Sequence, residues 1–448
     1  MNIEEKLLTL CKYIDEKSIP QSGLSTIPII GDLFEELASK AGVDGMLVLI
    51  DQQSSKNQKK IIKKIDYIIS EKRNKKPLIL VVGGGNSEEI LILNSELDIG
   101  KKHKVKTESL FGGSGVNYVM RLLTHGYDVF PILPIGKDAI GRKIRKNILK
   151  TARSIKASKR VIEFIGKKDD NCFYDPNIKT PSTTVLVENS RRTIFTEKMK
   201  NGQNFIKYVQ KRIDDVDSLT FTAPSAVMIG HIHSDSKDIS KENAGDVTKY
   251  IINTFKKRSL VFTNLGSSQL SLGLDFWKKY LLDIDFFQVN LDEAKKFFCG
   301  KKGEELKLTE IIKIIRKLNI NVVITLDKFG AIGIHKENKD TVFIAWPVLD
   351  ASEVIDTTGA GDAFAAGLVA YMVKAPNVEA ISFKDAISHA RIWAAYACST
   401  YGGANQCPTA RQLEEYKQTI ALNGNKSVEI TNQDYTSEIL TLLDIAFQ

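Results

Sequence analysis

The stretch Asp356-Thr357-Thr358-Gly359-Ala360-Gly361-Asp362-Ala363-Phe364-Ala365-Ala366-Gly367 leaves a chain few conformations to choose from. Small residues at 359 to 361 let the backbone turn tightly and approach a ligand, and the apolar run behind them reads as a helix that starts there. N–H groups of a first helical turn have no partner within the helix, and the helix dipole adds to their pull on a negative charge. The turn is therefore a ready anion cradle. Asp362 falls in that first turn, where it would take a proton from an attacking hydroxyl while the amides around Gly359, Ala360 and Gly361 hold a transferring phosphoryl group. The plainer reading of the same residues is a loop capped by Asp356 or Thr357.

Elsewhere, short β-branched runs alternate with helical periodicity, the pattern of a parallel sheet covered by helices on both faces. It predicts strands over 78–82, 129–133, 226–229, 260–263, 286–289 and 322–325, and helices over 116–125, 244–255, 291–298 and 308–318. Runs at 184–188 and 192–196, separated by Asn189-Ser190-Arg191, read as a hairpin.

A second glycine block, Phe111-Gly112-Gly113-Ser114-Gly115-Val116-Asn117, is followed by Leu122, Gly126 and Pro134-Ile135-Gly136-Lys137-Asp138-Ala139-Ile140-Gly141. Together the two blocks, in this order, resemble the signatures of the ribokinase (PfkB) family of carbohydrate kinases, and the resemblance extends from about Pro77 to about Glu415. It implies an α/β, ribokinase-like three-layer αβα sandwich with a mostly parallel central sheet and a small β-sheet lid. We place that lid at about 91–110 and 182–197, within a kinase domain over 76–420. Residues 1–75 form an extension of illegible role, with helical pieces at 4–14 and 31–41, an apolar run at 46–50 and a lysine-rich pattern at 58–73; 421–448 form a tail.

The resemblance assigns roles residue by residue. The last Asp of D-T-x-G-A-G-D, Asp362, is the catalytic base. The family's acceptor-binding acid follows the first strand; in Gly83-Gly84-Gly85-Asn86-Ser87-Glu88 that position holds Glu88, a departure from Asp, with Asn86 or Glu89 as alternatives. Gly112, Gly113 and Asn117 complete the acceptor side, although Asn117 is also placed to cap a helix. Asn290-Leu291-Asp292-Glu293 resembles the N-x-x-E element, in which Asn290 reaches phosphate and Glu293 acts on Mg²⁺ through water. A capping box has the same spacing. Thr325-Leu326-Asp327-Lys328-Phe329-Gly330 resembles the segment lining the adenine-ribose side, with Thr325, Asp327 and Gly330 as nucleotide contacts and Asp327 in place of glycine. Asp356 and Thr358 coincide with positions that bind a monovalent cation such as K⁺ in relatives, where carbonyls near 401–404 would complete the site.

The implied activity is ATP-dependent phosphoryl transfer to a primary hydroxyl of a sugar, with a nucleoside acceptor as the alternative and a non-catalytic sugar or nucleotide sensor as the reading from another class. A dinucleotide-binding oxidoreductase fits less well, because no G-x-G-x-x-G opens a helix at Gly83.

Composition sets outer bounds. A formal charge of +9 raises the question of nucleic acid, but the lysines are densest between Lys56 and Lys76 and read as a solvated helix face, and no basic stretch interleaves aromatics in the manner of a single-strand binding groove. The cysteines (Cys11, Cys172, Cys299, Cys398, Cys407) are scattered, without CxxC, as expected of reduced thiols in the cytoplasm. No apolar run approaches the ~20 residues that span a bilayer. Expected partners are a small acceptor and ATP, with neither nucleic acid nor membrane, and a homodimer is compatible with the reading.

Overall fold

The computed structural model describes residues 2–15, 42–73, 76–93, 96–166, 179–188, 191–197, 205–220, 223–235, 244–300, 307–338, 341–374, 382–400 and 406–422. The chain divides into two compact units, Met1–Pro77 with Gln210–Pro224, and Leu78–Val209 with Ser225–Gln448.

In the first unit, helices Ile3–Asp15, Gly42–Asp51 and Ser55–Arg73 carry apolar residues at helical spacing. Ile61 and Ile65, one turn apart, are buried together with Leu7 and Ile50, and Lys6 pairs with Asp66 at 2.6 Å. Lys56, Lys59 and Lys63 face solvent. The apolar run at 46–50 belongs to the second of these helices, whereas the helix expected over 31–41 lies outside the described residues.

Among the described residues the second unit holds twelve strands: β1 (Leu78–Val82), β2 (Asn86–Leu93), β3 (Val105–Gly112), β4 (Asp128–Ile132), β5 (Ser182–Glu188), β6 (Arg191–Thr196), β7 (Ala226–Ile229), β8 (Leu260–Asn264), β9 (Phe286–Asn290), β10 (Val322–Thr325), β11 (Ala331–Ile334) and β12 (Val342–Ala345). Eight form one sheet in the order β12-β11-β10-β9-β8-β7-β1-β4. From β4 across to β10 every pair is parallel, and β11 and β12 add an antiparallel edge. Strands buried on both faces must be apolar throughout, and Leu78-Ile79-Leu80-Val81-Val82 is buried at every position. Helices including Ser114–His125, Asp246–Phe255, Leu291–Cys299, Leu308–Leu318, Ala360–Met372 and Phe383–Cys398 cover this sheet in the three-layer αβα arrangement. Ala360–Met372 is apolar nearly all round because it is buried along its length, and the missing side chain of Gly367 lets Trp393 of the neighbouring helix pack against it.

The chain enters the sheet at β1, adds β4 on one side and later β7 on the other. Strand order therefore reverses at β1, and the crevice beyond the carboxyl ends of β1 and β7 is where such sheets bind ligands. Loops 83–85, 230–232 and 265–266 open there. A buried network ties the last two together. Gln269 Oε1 accepts from the backbone N–H of both Ile232 and Gly266 at 2.9 Å, its Nε2 donates to Thr248 Oγ1, and Thr248 donates to Asp235 at 2.5 Å.

The small sheet has the order β3-β2-β5-β6, with β2–β3 and β5–β6 antiparallel and β2–β5 parallel. It is larger than the segments expected for the lid. Asn86 and Glu88, which follow the first strand as expected, begin β2, because residues 86–93 pair along their whole length with β3.

Candidate active site

The turn before helix Ala360–Met372 takes the conformation its glycine permits. Gly359 is left-handed (φ 70, ψ 12) and is the N-cap. Asp356 is buried and accepts the Thr358 N–H at 2.7 Å, folding the turn on itself. Gln288, buried in β9, donates from Nε2 to the Gly361 carbonyl at 3.0 Å and moors the first helical turn to the sheet. Amides of Gly361 and Asp362 lie in that turn, where helix geometry leaves N–H groups without intrahelical partners.

Asp362 is joined to the other glycine block. Asn117 Nδ2 donates to Asp362 Oδ2 at 2.6 Å across 245 residues of sequence, while Asn117 Oδ1 is buried and unpaired. Asn117 lies within helix Ser114–His125, whose N-cap is Gly113, so its side chain serves Asp362 rather than a cap. Asn86 Nδ2 donates to Thr183 Oγ1 at 2.6 Å and leaves Oδ1 buried without a partner. Both amides thus keep a buried oxygen with no hydrogen-bond partner among the described residues. Glu88 lies over Gly112, filling the volume a Cβ there would need, whereas Glu89 is exposed. Gly113 has φ 88, and a Cβ on it would meet the Gly84 carbonyl oxygen at 2.8 Å. The glycines expected to make room for a polyol therefore also make room for the protein's own Glu88 and Gly84.

Four further residues were not singled out in the sequence. His231 follows β7; its N–H donates to Ser114 Oγ at 2.8 Å, and its ring Nε2 is 2.7 Å from Asn264 Oδ1. Asn264 donates from Nδ2 to the Gln288 carbonyl, which turns Oδ1 toward the imidazole and places the ring proton on Nε2. Tyr118, next to Asn117, is completely buried with its hydroxyl unpaired. Burial first, then the negative charge of Asp362, holds its hydroxyl well above the usual pKa of 10. The signal that would have found His231 and Asn264 is position, since each lies at or just beyond the carboxyl end of a central parallel strand, while Gln288 lies two residues before the end of β9.

At the residues the resemblance assigns to the nucleotide, Asn290 and Glu293 form a reciprocal capping box. Asn290 Oδ1 accepts the Glu293 N–H at 2.8 Å and Glu293 Oε2 accepts the Asn290 N–H at 2.9 Å. Glu293 Oε1 makes no bond to a described residue, so this carboxylate caps the helix and still has an oxygen for a hydrated cation. Thr325 is the register partner of Asn290 on β10. Asp327 occupies the left-handed region (φ 51) that glycine would fill, and Gly330 (φ 91) has no room for a side chain against the Ala345 carbonyl. Thr358 Oγ1, beside Asp356, is buried and unpaired. Carbonyls expected at 401–404 lie outside the described residues. Among the described residues no cluster of three or more His, Cys, Asp or Glu is arranged to hold a metal directly.

The family model for the pfkB family carbohydrate kinase matches residues 169–410, more than half of the chain. The chain belongs to this family. It is a kinase of the ribokinase type, a phosphotransferase. An ATP-dependent 6-phosphofructokinase from Thermoanaerobacterium thermosaccharolyticum is 25% identical over 270 residues, covering 59% of this chain and 73% of that relative. The fold is similar to that of Arabidopsis thaliana ribokinase complexed with ribose and ATP (TM-score 0.54, 17% identity, 76% of this chain and 98% of that one). It is also similar to that of a Burkholderia thailandensis nucleoside kinase in complex with inosine (TM-score 0.54, 15% identity, 77% and 97%).

Proposed function

We propose that this kinase moves the γ-phosphoryl group of ATP to a primary hydroxyl of a sugar or sugar-like small molecule, with Asp362 as the base. The reading is carried by the bond from Asn117 to Asp362, which joins the glycine block of the acceptor side to the anion turn. ATP as donor is supported by the neighbour that binds ribose and ATP. The acceptor lies against β2 and the start of helix Ser114–His125, where Glu88 and the unpaired Oδ1 atoms of Asn86 and Asn117 receive its hydroxyl protons, beside the backbone of Gly112 and Gly113.

Asp362 Oδ2 is engaged by Asn117, which leaves Oδ1 for the acceptor. The acceptor O–H gives its proton to Asp362 as its oxygen attacks the γ-phosphorus, the bond to the bridging oxygen breaks, and ADP carries away the electron pair. Amides around Gly359, Ala360 and Gly361 hold the charge that develops on the transferred group. Asn290, Thr325, Asp327 and Gly330 line the nucleotide. Glu293 would hold Mg²⁺ through water, and the ion when bound supplies neutralisation of the phosphate charge. Asp356 and the unpaired Thr358 hydroxyl are the donors for a monovalent cation such as K⁺.

The test is ADP release from ATP over a panel of free sugars, sugar phosphates and nucleosides, with wild-type protein and Asp362→Asn. Turnover that depends on a sugar and collapses in the variant is expected. Turnover confined to nucleosides moves the acceptor to the class bound by the Burkholderia neighbour. Absence of turnover with every acceptor, alongside tight ATP binding, replaces the kinase reading with that of a sensor.

A further inference from the structure

Tyr118 presents a problem that packing alone leaves unsolved. Its ring is fully buried, with its Cε2 edge close against the backbone of Gly230, and its hydroxyl has no hydrogen-bond partner among the described residues. Burying an unpaired hydroxyl costs stability, and phenylalanine would fill the same space without that cost. Such an orphan in a native fold calls for a reason outside packing. The reason lies in its surroundings. Tyr118 directly follows Asn117, whose amide grips Asp362 Oδ2 at 2.6 Å. The Asp362 carboxylate is close enough to raise the pKa of the Tyr118 hydroxyl both as a charge and as a hydrogen-bond acceptor, although the pair falls short of full hydrogen-bond geometry.

We infer that Tyr118 is a positioning residue for Asp362. With acceptor bound, its hydroxyl donates to the Asp362 carboxylate, so that Asn117 and Tyr118, neighbours on one helix, fix the plane of the carboxylate and leave a single lone pair aimed at the acceptor hydroxyl. One amide contact constrains one oxygen and leaves the carboxylate free to rotate about its Cβ–Cγ bond; a second donor removes that freedom. A base that must meet a hydroxyl proton within a few tenths of an ångström gains rate from being held, and none of that gain appears in substrate affinity. The inference rests on Asp362 being the base, and its test separates the two.

The variants are Tyr118→Phe, Asp362→Asn and the double substitution, each measured for kcat, for KM of ATP and acceptor, and for Tm. Tyr118→Phe is expected to lower kcat by about tenfold while leaving both KM values in place, an effect of orientation on a positioned base. Its Tm should stay level or rise, because an unpaired hydroxyl has been removed. In the Asp362→Asn background the same substitution should have no further effect on the residual kcat. A wild-type kcat in Tyr118→Phe overturns the inference, as does a loss that persists at full size without Asp362 or one that tracks a fall in Tm. If Asp362→Asn itself keeps its turnover, the assignment of the base fails first, independently of Tyr118.

Discussion

Gln288 donates to the carbonyl of Gly361 at 3.0 Å, so the strand that ends in the Asn290 cap also moors the turn that presents Asp362. The two halves of the proposed site, nucleotide and base, are registered on each other through this one amide. Its Oε1 is buried and unpaired, so the side chain is kept for its donor. Gln288→Met should cost about 1 kcal/mol of stability, the worth of one hydrogen bond, and lower kcat by more than that loss of folding accounts for. Urea unfolding read beside steady-state rates checks it; an unchanged kcat would make Gln288 a structural residue only.

For the base itself, Asp362→Asn keeps the size and the Asn117 contact while removing the ability to accept a proton. Turnover should fall roughly 10²–10⁴-fold with an unchanged melting temperature. Near-normal turnover would take Asp362 out of the chemistry.

Glu293 has two jobs in this reading, and they can be measured apart. Glu293→Gln retains an oxygen for the Asn290 N–H, so the capping box should survive and Tm should move little. The Mg²⁺ concentration needed for half-maximal activity should rise. A lowered Tm with an unaltered Mg²⁺ requirement would leave Glu293 as a cap alone.

Much of this arrangement was legible in the sequence because it depends on local rules. Apolar runs such as Leu78–Val82 and Val322–Thr325 can only be buried strands, and the left-handed residue that a helix entry like Gly359 requires is a glycine. The placement of Asn86 and Glu88 was not legible, since whether residues just past a strand form a loop or start a new sheet is decided by partners in β3 and β5 that lie far along the chain. Likewise His231 and Tyr118 carry no motif. Their roles arise only when separate strands and helices meet, His231 on Asn264 and Tyr118 beside Asp362.

Neighbouring glycines give a sharper test of the acceptor side. The atoms nearest a Cβ at Gly112 would all belong to the flexible Glu88 side chain, so Gly112→Ala should fold and displace that carboxylate. At Gly113 the Cβ would meet backbone at Gly84 from a φ of 88, and Gly113→Ala should lower stability by more than about 1 kcal/mol. If Glu88 binds the acceptor, both Gly112→Ala and Glu88→Gln should raise the acceptor KM, about tenfold or more for a lost charge-assisted bond, with the KM for ATP unmoved. Equal acceptor KM values in all three proteins would exclude Glu88 from the pocket.

Acid stability should draw on a pair of imidazoles, one of which ends helix Ser114–His125. Burial, then the charges of Lys374 and His389, lowers His125 from 6.5 to about 4; burial, then Lys374 and Lys417, does the same for His389. These groups and Glu414 line one cavity of about 200 Å³. His389 Nε2 also accepts the Trp393 indole N–H at 3.1 Å, so its lone pair is already in use. Both rings are therefore neutral in the folded protein at a pH where the unfolded chain already binds protons. Their contribution is complete above pH 6.5 and is lost as pH falls toward 4, by at most about 3 kcal/mol per ring. Asp235, pushed up to about 6 chiefly by burial, works in the opposite direction, since its folded carboxyl holds a proton more readily than the unfolded one. That opposing effect is common to wild type and to His389→Gln, in which the amide oxygen can still receive the Trp393 N–H, and it cancels in their difference. Urea unfolding at pH 7.5, 6 and 5 should show wild type losing stability more steeply than the variant. Parallel curves for the two proteins would remove His389 as a source of the acid sensitivity.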